Sequence, residues 1–326
     1  MIWDSVQAVL VIFALIGAGM LAARFKWITP AIANAFPRLL VNLAVPSMAV
    51  YHFYTGLDRQ KVFDAWLPLL LVLLVFPLSY LAGRLFAAIF NIPKTRRGVF
   101  TVLFAFSNSM FIGFPVAEAL FGTAGLPFAM YYYLGNTTFF WVLGYYAIRR
   151  DADAISGCAS RITAGEVLRK LATPPIITIA VMFAVVLLQI PLPRFAVDTA
   201  RYMGALTTPL SLIFMGSVIW ETGPKGMGFE AGLAPVLLGR FILIPALMFF
   251  ACMLGVQLLS PAGAAMDYVL MRNVFTVQAG LPAMTQTVIL SQLYGADVRF
   301  ATKGFIWTTA ASVVTIPAYM LLFQYV

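Results

Sequence analysis

The sequence predicts an all-α integral membrane protein: ten transmembrane helices in two inverted five-helix repeats, with helices 4 and 9 broken and crossing. Three observations carry this. The composition is 62% hydrophobic and only 10% charged, with a mean hydropathy of +0.93, a profile that water-soluble domains do not reach. The apolar residues fall into ten runs, each read as long enough for a ~30 Å hydrocarbon core. Inside two of those runs lies the same triplet of glycine, apolar residue and proline.

The first repeat, residues 1–148, holds runs at roughly 5–24, 32–54, 65–90, 98–121 and 127–148. A polar cytoplasmic loop, 149–173, follows, with a short amphipathic helix expected around Ala164 to Leu171. The second repeat, 174–326, holds runs at roughly 174–190, 199–220, 232–259, 267–294 and 299–325. The first run lacks a basic leader and a small-residue cleavage site, so it is expected to be a retained span. An odd number of spans per half makes the second half enter the bilayer from the opposite side, which inverts the repeat. Proline pairs support the duplication, since Pro46 and Pro209 lie 163 residues apart and Pro77 and Pro245 lie 168 apart.

Basic residues alternate with the loops. Fourteen follow odd-numbered spans, four follow even-numbered ones, and Arg84, Arg240 and Arg272 lie within spans. Basic loops stay cytoplasmic, so both termini are expected in the periplasm of a bacterial inner membrane and Cys158 in the cytoplasm. The net charge of +9 then belongs to loops beside lipid headgroups and calls for no nucleic acid. Two cysteines and one histidine, His52, make no disulfide framework and no metal set, and nothing calls for a cofactor. Arg84 and Arg240 are read as interfacial. Arg272, roughly 9 Å deep at ~1.5 Å per residue, either snorkels to the headgroups or acts inside.

The triplets are Gly113-Phe114-Pro115 and Gly280-Leu281-Pro282, 167 residues apart. Proline lacks an N–H and displaces the carbonyl four residues back, while glycine lets the chain leave helical geometry, so each triplet marks a break. Unpaired backbone in hydrocarbon costs several kcal/mol per group and is tolerated only against protein or a wet cavity. Two helix N-termini then face the crossing and favour an anion. Asn108 and Ser109 precede the first break, and Asn273, Thr276 and Gln278 the second. These neutral groups either hold a carboxylate or only satisfy released backbone. Glu118 is either an acid at the outer interface or a proton-coupling group. Asn42 with Pro46 makes a polar node in the second run, and Asn136 makes one in the fifth, each facing the crossing or locking helices together. Tyr131, Tyr132 and Tyr133 suit an interfacial belt.

The run from Ser107 to Pro115 (Ser-Asn-Ser-Met-Phe-Ile-Gly-Phe-Pro), with Leu120-Phe121-Gly122, the kink from Asn42 to Pro46 and the late Gly-Leu-Pro break, resembles the auxin efflux carrier family of permeases. The likeness spans essentially the whole chain, and the short central loop is similar to that of bacterial members, among them proteins regarded as malonate transporters. The resemblance implies a sodium/bile-acid-symporter-like fold. Helices 1, 2, 6 and 7 would form a scaffold that also makes a homodimer, and helices 3–5 and 8–10 a transport domain moving elevator fashion. Substrate would bind where helices 4 and 9 cross, at Pro115 and Pro282, with Asn108 the first contact. The family's sodium sites are not implied, because the acid expected near the second crossing is missing.

The expected function is a permease rather than an enzyme. Its substrate would be a small organic anion, a mono- or dicarboxylate such as malonate, driven by protons or the membrane potential. The alternatives are export of an auxin-like or other weak organic acid, and an anion channel. An intramembrane enzyme would need a nucleophile with a base or a metal set, and the sequence has no HExxH and no GxSxG.

Overall fold

The computed structural model describes residues 2–33, 35–157, 163–223, 228–259 and 266–322. Cys158, Arg161 and Lys225, on which part of the loop-charge reading rests, lie outside the described residues. Within them the regular structure is helical, and the extended pairing consists of one antiparallel bridge between Ser107 and Ala283.

In chain order, α1 (Ile2–Arg24) is followed by the short α2 (Pro30–Ala33) and α3 (Ala35–Leu39), a π-helical turn at Leu40–Ala44, and α4 (Val45–Gly56). Then α5 (Arg59–Asp64) leads into α6 (Trp66–Ile89). An unwound stretch separates α7 (Arg97–Ala105) from α8 (Gly113–Phe121), and α9 (Leu126–Phe139) continues through a π turn at Phe140–Gly144 into α10 (Tyr145–Ser156). After α11 (Ala164–Leu171) come α12 (Pro174–Leu187), α13 (Arg194–Gly204) and α14 (Thr207–Thr222). Next, α15 (Leu233–Leu238) passes through a third π turn, Gly239–Leu243, into α16 (Ile244–Leu259). A second unwound stretch divides α17 (Tyr268–Ala279) from α18 (Gln286–Tyr294), and α19 (Val298–Leu322) closes the order.

Prolines set many of these starts. Pro115, Pro127 and Pro209 stand in the first turns of α8, α9 and α14, where a missing N–H has no intrahelical partner to lose, and Pro46 and Pro245 stand just past π turns at the starts of α4 and α16. Two of the π turns run straight up to such a proline: the N–H of Val45 reaches the carbonyl of Leu40 and that of Ile244 reaches Gly239. The wider turn absorbs the ring that a regular α-helix would reject.

Among the described residues four helical runs, Arg59–Ile89, Arg194–Glu221, Leu233–Leu259 and Val298–Leu322, are long and apolar enough to cross a membrane, and Leu10–Arg24 and Pro174–Leu187 are shorter apolar helices. Their outward faces are greasy. Along α6, Leu74, Leu78, Leu81 and Leu85 are all at least half exposed, a stripe at helical spacing that only an apolar surrounding makes favourable.

Packing separates two groups of helices. α1 lies along α14, and α4 packs on α12 and α13; apart from these, α6 packs on α7, α9 and α16, α16 on α17, α10 on α7, and α15 and α18 on α19. The seam between the groups runs where α1 and α14 meet α8, α1 meets α19 and α4 meets α9. At one end of the molecule Arg96 pairs with Glu230 at 3.1 Å and with Asp297 at 2.9 Å, while Lys303 also reaches Glu230. Loops from distant parts of the chain therefore gather on that side.

The polar stretch 149–173 is more helical than a linker. α10 runs on to Ser156 because Asp151, buried, accepts from the N–H groups of Gly98 and Val99 at 2.8 and 2.7 Å, capping the start of α7 from a neighbouring helix. The amphipathic helix expected at Ala164 to Leu171 is present as α11, capped by the Thr163 hydroxyl.

The α1/α14 contact is backbone against backbone. A Cβ built on Gly216 would lie 2.0 Å from the carbonyl oxygen of Ile16, and one on Gly19 would lie 2.2 Å from that of Ile213. Gly165, in α11, has nothing within 4 Å. The same change should therefore act in opposite directions at the two sites. Gly165→Ala is expected to raise the unfolding temperature of purified protein through a helix propensity gain of about 1 kcal/mol. Gly216→Ala should lower that temperature or the yield, and a stable Gly216→Ala protein would refute the close contact.

Candidate functional site

The first broken helix is unwound over 106–112 and the second over 280–285. The two stretches cross antiparallel and pair with each other: the Asn108 N–H donates to the Pro282 carbonyl at 2.8 Å, and the Met284 N–H to the Phe106 carbonyl at 3.3 Å. Each break thereby satisfies part of the other's backbone, as a low-dielectric interior requires.

Side chains complete the pairing. The Asn136 amide, fully buried on α9, donates to the Ser107 carbonyl at 2.8 Å and the Ser109 hydroxyl at 3.0 Å, and its oxygen accepts from the Ser107 N–H at 3.2 Å. It stands in for a neighbouring strand. Asn108 turns its amide nitrogen to the Thr285 hydroxyl at 2.9 Å and accepts from the Phe111 N–H at 3.2 Å. Gln278 donates to the Gly113 carbonyl at 2.8 Å, while its own oxygen is buried without a hydrogen-bond partner. A Cβ at Gly113 would meet that oxygen at 2.2 Å, so a larger residue there would displace the Gln278 amide. From across the seam Met215 on α14 brings its sulfur within 3.8 Å of Asn108 and 3.9 Å of Thr285.

Arg240 is the residue the sequence reading misplaced. It is 0% exposed rather than interfacial, and one guanidinium nitrogen, Nη2, donates to the carbonyls of Ala105 at 3.2 Å and Ala279 at 3.1 Å. Those are the last residues of α7 and α17. Nε and Nη1 are buried without partners. Its position inside the third π turn accounts for the error, because the extra residue changes which face of the rod looks inward. The available signal was its isolation, as the one charge in the apolar run 232–259.

Other sequence-predicted positions sort plainly. Asn108, Ser109, Asn136, Gly280 and Pro282 lie in or against the crossing, with Gln278 and Gly113 beside it. Pro115 is helical, one turn past the unwinding, so the two triplets are not equivalent. The helix ends Ala105 and Ala279 are 174 residues apart, and the restarts Gly113 and Gln286 are 173 apart, against 167 for the triplets. Asn42 is exposed and donates to the Arg38 carbonyl at 2.8 Å, away from the crossing, with Pro46 just after it in α4. Arg272 lies over the Phe249 ring at 4.8 Å and donates to Asn273 at 3.2 Å, both away from the break. Glu118 accepts from the Thr208 hydroxyl at 2.7 Å, joining α8 to α14. The tyrosines expected in a belt, Tyr131, Tyr132 and Tyr133, are core residues.

A cavity of about 40 Å³ opens beside Asn108 and Thr285, with Tyr133, Thr137, Thr173 and Gln286 contributing polar atoms to its wall. That is room for about one water. A larger cavity, about 470 Å³, lies among the 52–61, 123–131 and 266–270 segments, with His52, Lys61 and Tyr131 among its lining residues.

Apolar helices around a pair of broken, mutually hydrogen-bonded ones define a membrane transport protein. The chain belongs to the membrane transport protein family, whose model matches residues 4–320, in agreement with the resemblance to the auxin efflux carriers. It is similar to an uncharacterized transporter of Methanocaldococcus jannaschii, 25% identical over 321 residues covering 95% of this chain and 96% of the relative. An uncharacterized transporter of Methanothermobacter thermautotrophicus is 24% identical over 321 residues, with 97% of each chain covered.

Asn136 and Gln278 should differ in what their loss costs. Asn136→Leu strips the buried Ser107 N–H of its partner, at about 1–3 kcal/mol, and leaves the Ser107 carbonyl with only the bond from the Ser109 N–H at 2.9 Å. Gln278→Leu leaves the Gly113 carbonyl in helical surroundings that can still satisfy it. Thermal unfolding in detergent is therefore expected to show the larger fall for Asn136→Leu, and equal falls would contradict this account of the crossing.

Proposed function

We propose that the protein is a secondary transporter for a small organic anion, a mono- or dicarboxylate such as malonate, bound at the crossing in a conformation that widens the 40 Å³ cavity beside Asn108 and Thr285. The observation that carries this reading is the pair of half-helix N-termini, at Gly113 and Gln286, beside the amide of Asn108 and the hydroxyl of Thr285. Positive dipole ends and neutral side-chain donors suit a carboxylate. Neither unwound stretch contains Asp or Glu, as a site built for a cation would.

The wider arrangement is part of the same proposal. Ten spans form two inverted repeats in a bacterial inner membrane, with both termini in the periplasm. The helices of α1–α4 and α12–α14 act as a scaffold through which the protein forms a homodimer, and the rest move as a body carrying the crossing. The separation of the helices into two packing groups supports this division. Glu118, bonded to Thr208 across the seam, is the residue through which protons would couple to movement.

Uptake by proteoliposomes tests the site. Asn108→Ala deletes one hydrogen bond to a charged ligand, worth roughly 1.5–3 kcal/mol, so apparent affinity is expected to fall about ten- to a hundredfold at normal expression. Thr285→Ala and Pro282→Ala should also impair uptake. Pro115→Ala, in an ordinary first turn, should be nearly silent. Wild-type uptake in Asn108→Ala, Thr285→Ala and Pro282→Ala alike would sink the crossing as the binding site.

A further inference from the structure

The crossing has two electrically opposite faces. α8 and α18 leave it with their N-termini, whereas α7 and α17 arrive with their C-termini, at Ala105 and Ala279. A helix C-terminus carries the equivalent of roughly half a negative charge on its unpaired carbonyls, so two of them converging amount to about one. Such a place attracts a monovalent cation. What stands there is Arg240, whose Nη2 donates to both terminal carbonyls, at 3.2 and 3.1 Å.

Arg240 is fully buried, and among the described residues no carboxylate pairs with it. A guanidinium at such depth is expensive unless something offsets its charge. The two helix ends do so, and the arginine in turn supplies donors to carbonyls that have no intrahelical partner. Gly239, its neighbour, is pressed against the Phe104 ring, where a Cβ would lie 1.9 Å away, so the backbone that carries the arginine is held close to α7.

We propose that Arg240 is a built-in cation, filling the position at which the convergent C-termini would otherwise hold a free alkali metal ion, so that the crossing works without one. The inference rests on reading the opposite face as the anion site. Its test uses no substrate, so its failure is distinguishable from failure of the transport reading, which would appear as absent uptake by the wild type.

The experiment is thermal unfolding of purified protein in choline, sodium and potassium chlorides, and in choline with low, non-denaturing guanidinium. The wild type is expected to unfold at the same temperature in all four. Arg240→Ala and Arg240→Gln should unfold several degrees lower in choline and recover with sodium or guanidinium, while Arg240→Lys, which keeps the charge, stays near wild type. If the Ala and Gln proteins survive purification only with sodium or guanidinium present, that also supports the inference. Stabilisation of the wild type by sodium or potassium would overturn it. So would a Gln protein as stable as the Lys protein, or variants equally damaged in every salt, because the fixed charge would then not be what matters.

Discussion

Every backbone group released by unwinding a helix inside an apolar surrounding has to find a partner, and the structure is arranged around that requirement. Two breaks cross so that each becomes the other's partner, through the Asn108 to Pro282 and Met284 to Phe106 bonds. Much of what remains is met by side chains from outside: Asn136 at the unwound Ser107, the Thr308 hydroxyl at the Ala283 N–H, and Arg240 at the two helix ends. With each unmet group worth several kcal/mol, neither break is stable without the other. The helices around them are placed accordingly: α9 brings the amide, the rod of α15 and α16 brings the guanidinium, and α14 seals the remaining side with Met215.

The same crossing separates charge. Donors and positive dipole ends lie on the side of Asn108 and Thr285, and carbonyls with their arginine on the side of Ala105 and Ala279. A site polarised in this way can favour an anion without any basic side chain touching it. Under the proposed function, its neutral lining would make hydrogen-bond geometry, rather than net attraction, the basis for choosing among anions.

Much of this was legible in the sequence. Glycine and proline are the residues that distort helices, so the two triplets located both breaks to within a turn, and a lone buried amide such as Asn136 was a sound pointer because an amide in hydrocarbon needs a partner. Register was not legible. Pro115 begins a helix whereas Pro282 sits in extended chain, and matching letters concealed that difference. Arg240 was placed by its distance from the end of a run, a measure that ignores which face it occupies, and the π turn that settles the face has no strong residue signature. Asn42 failed for a different reason: its amide is satisfied by the carbonyl one turn back, a local bond available to any helical asparagine.

The glycine contact between α1 and α14 has a mechanical consequence. Where Gly19 and Gly216 let one backbone rest on another, no side chain intervenes at either point, so sliding there would drive backbone into backbone. The seam along α8 is of another kind, closed by the Glu118 to Thr208 bond, the Phe111 and Phe214 rings and the soft Met215 sulfur. Polarizable and rotatable groups of this sort can exchange partners at little cost. Compliance in the molecule is thus distributed unevenly, with a stiff spine on one side of the crossing and a lubricated face against it.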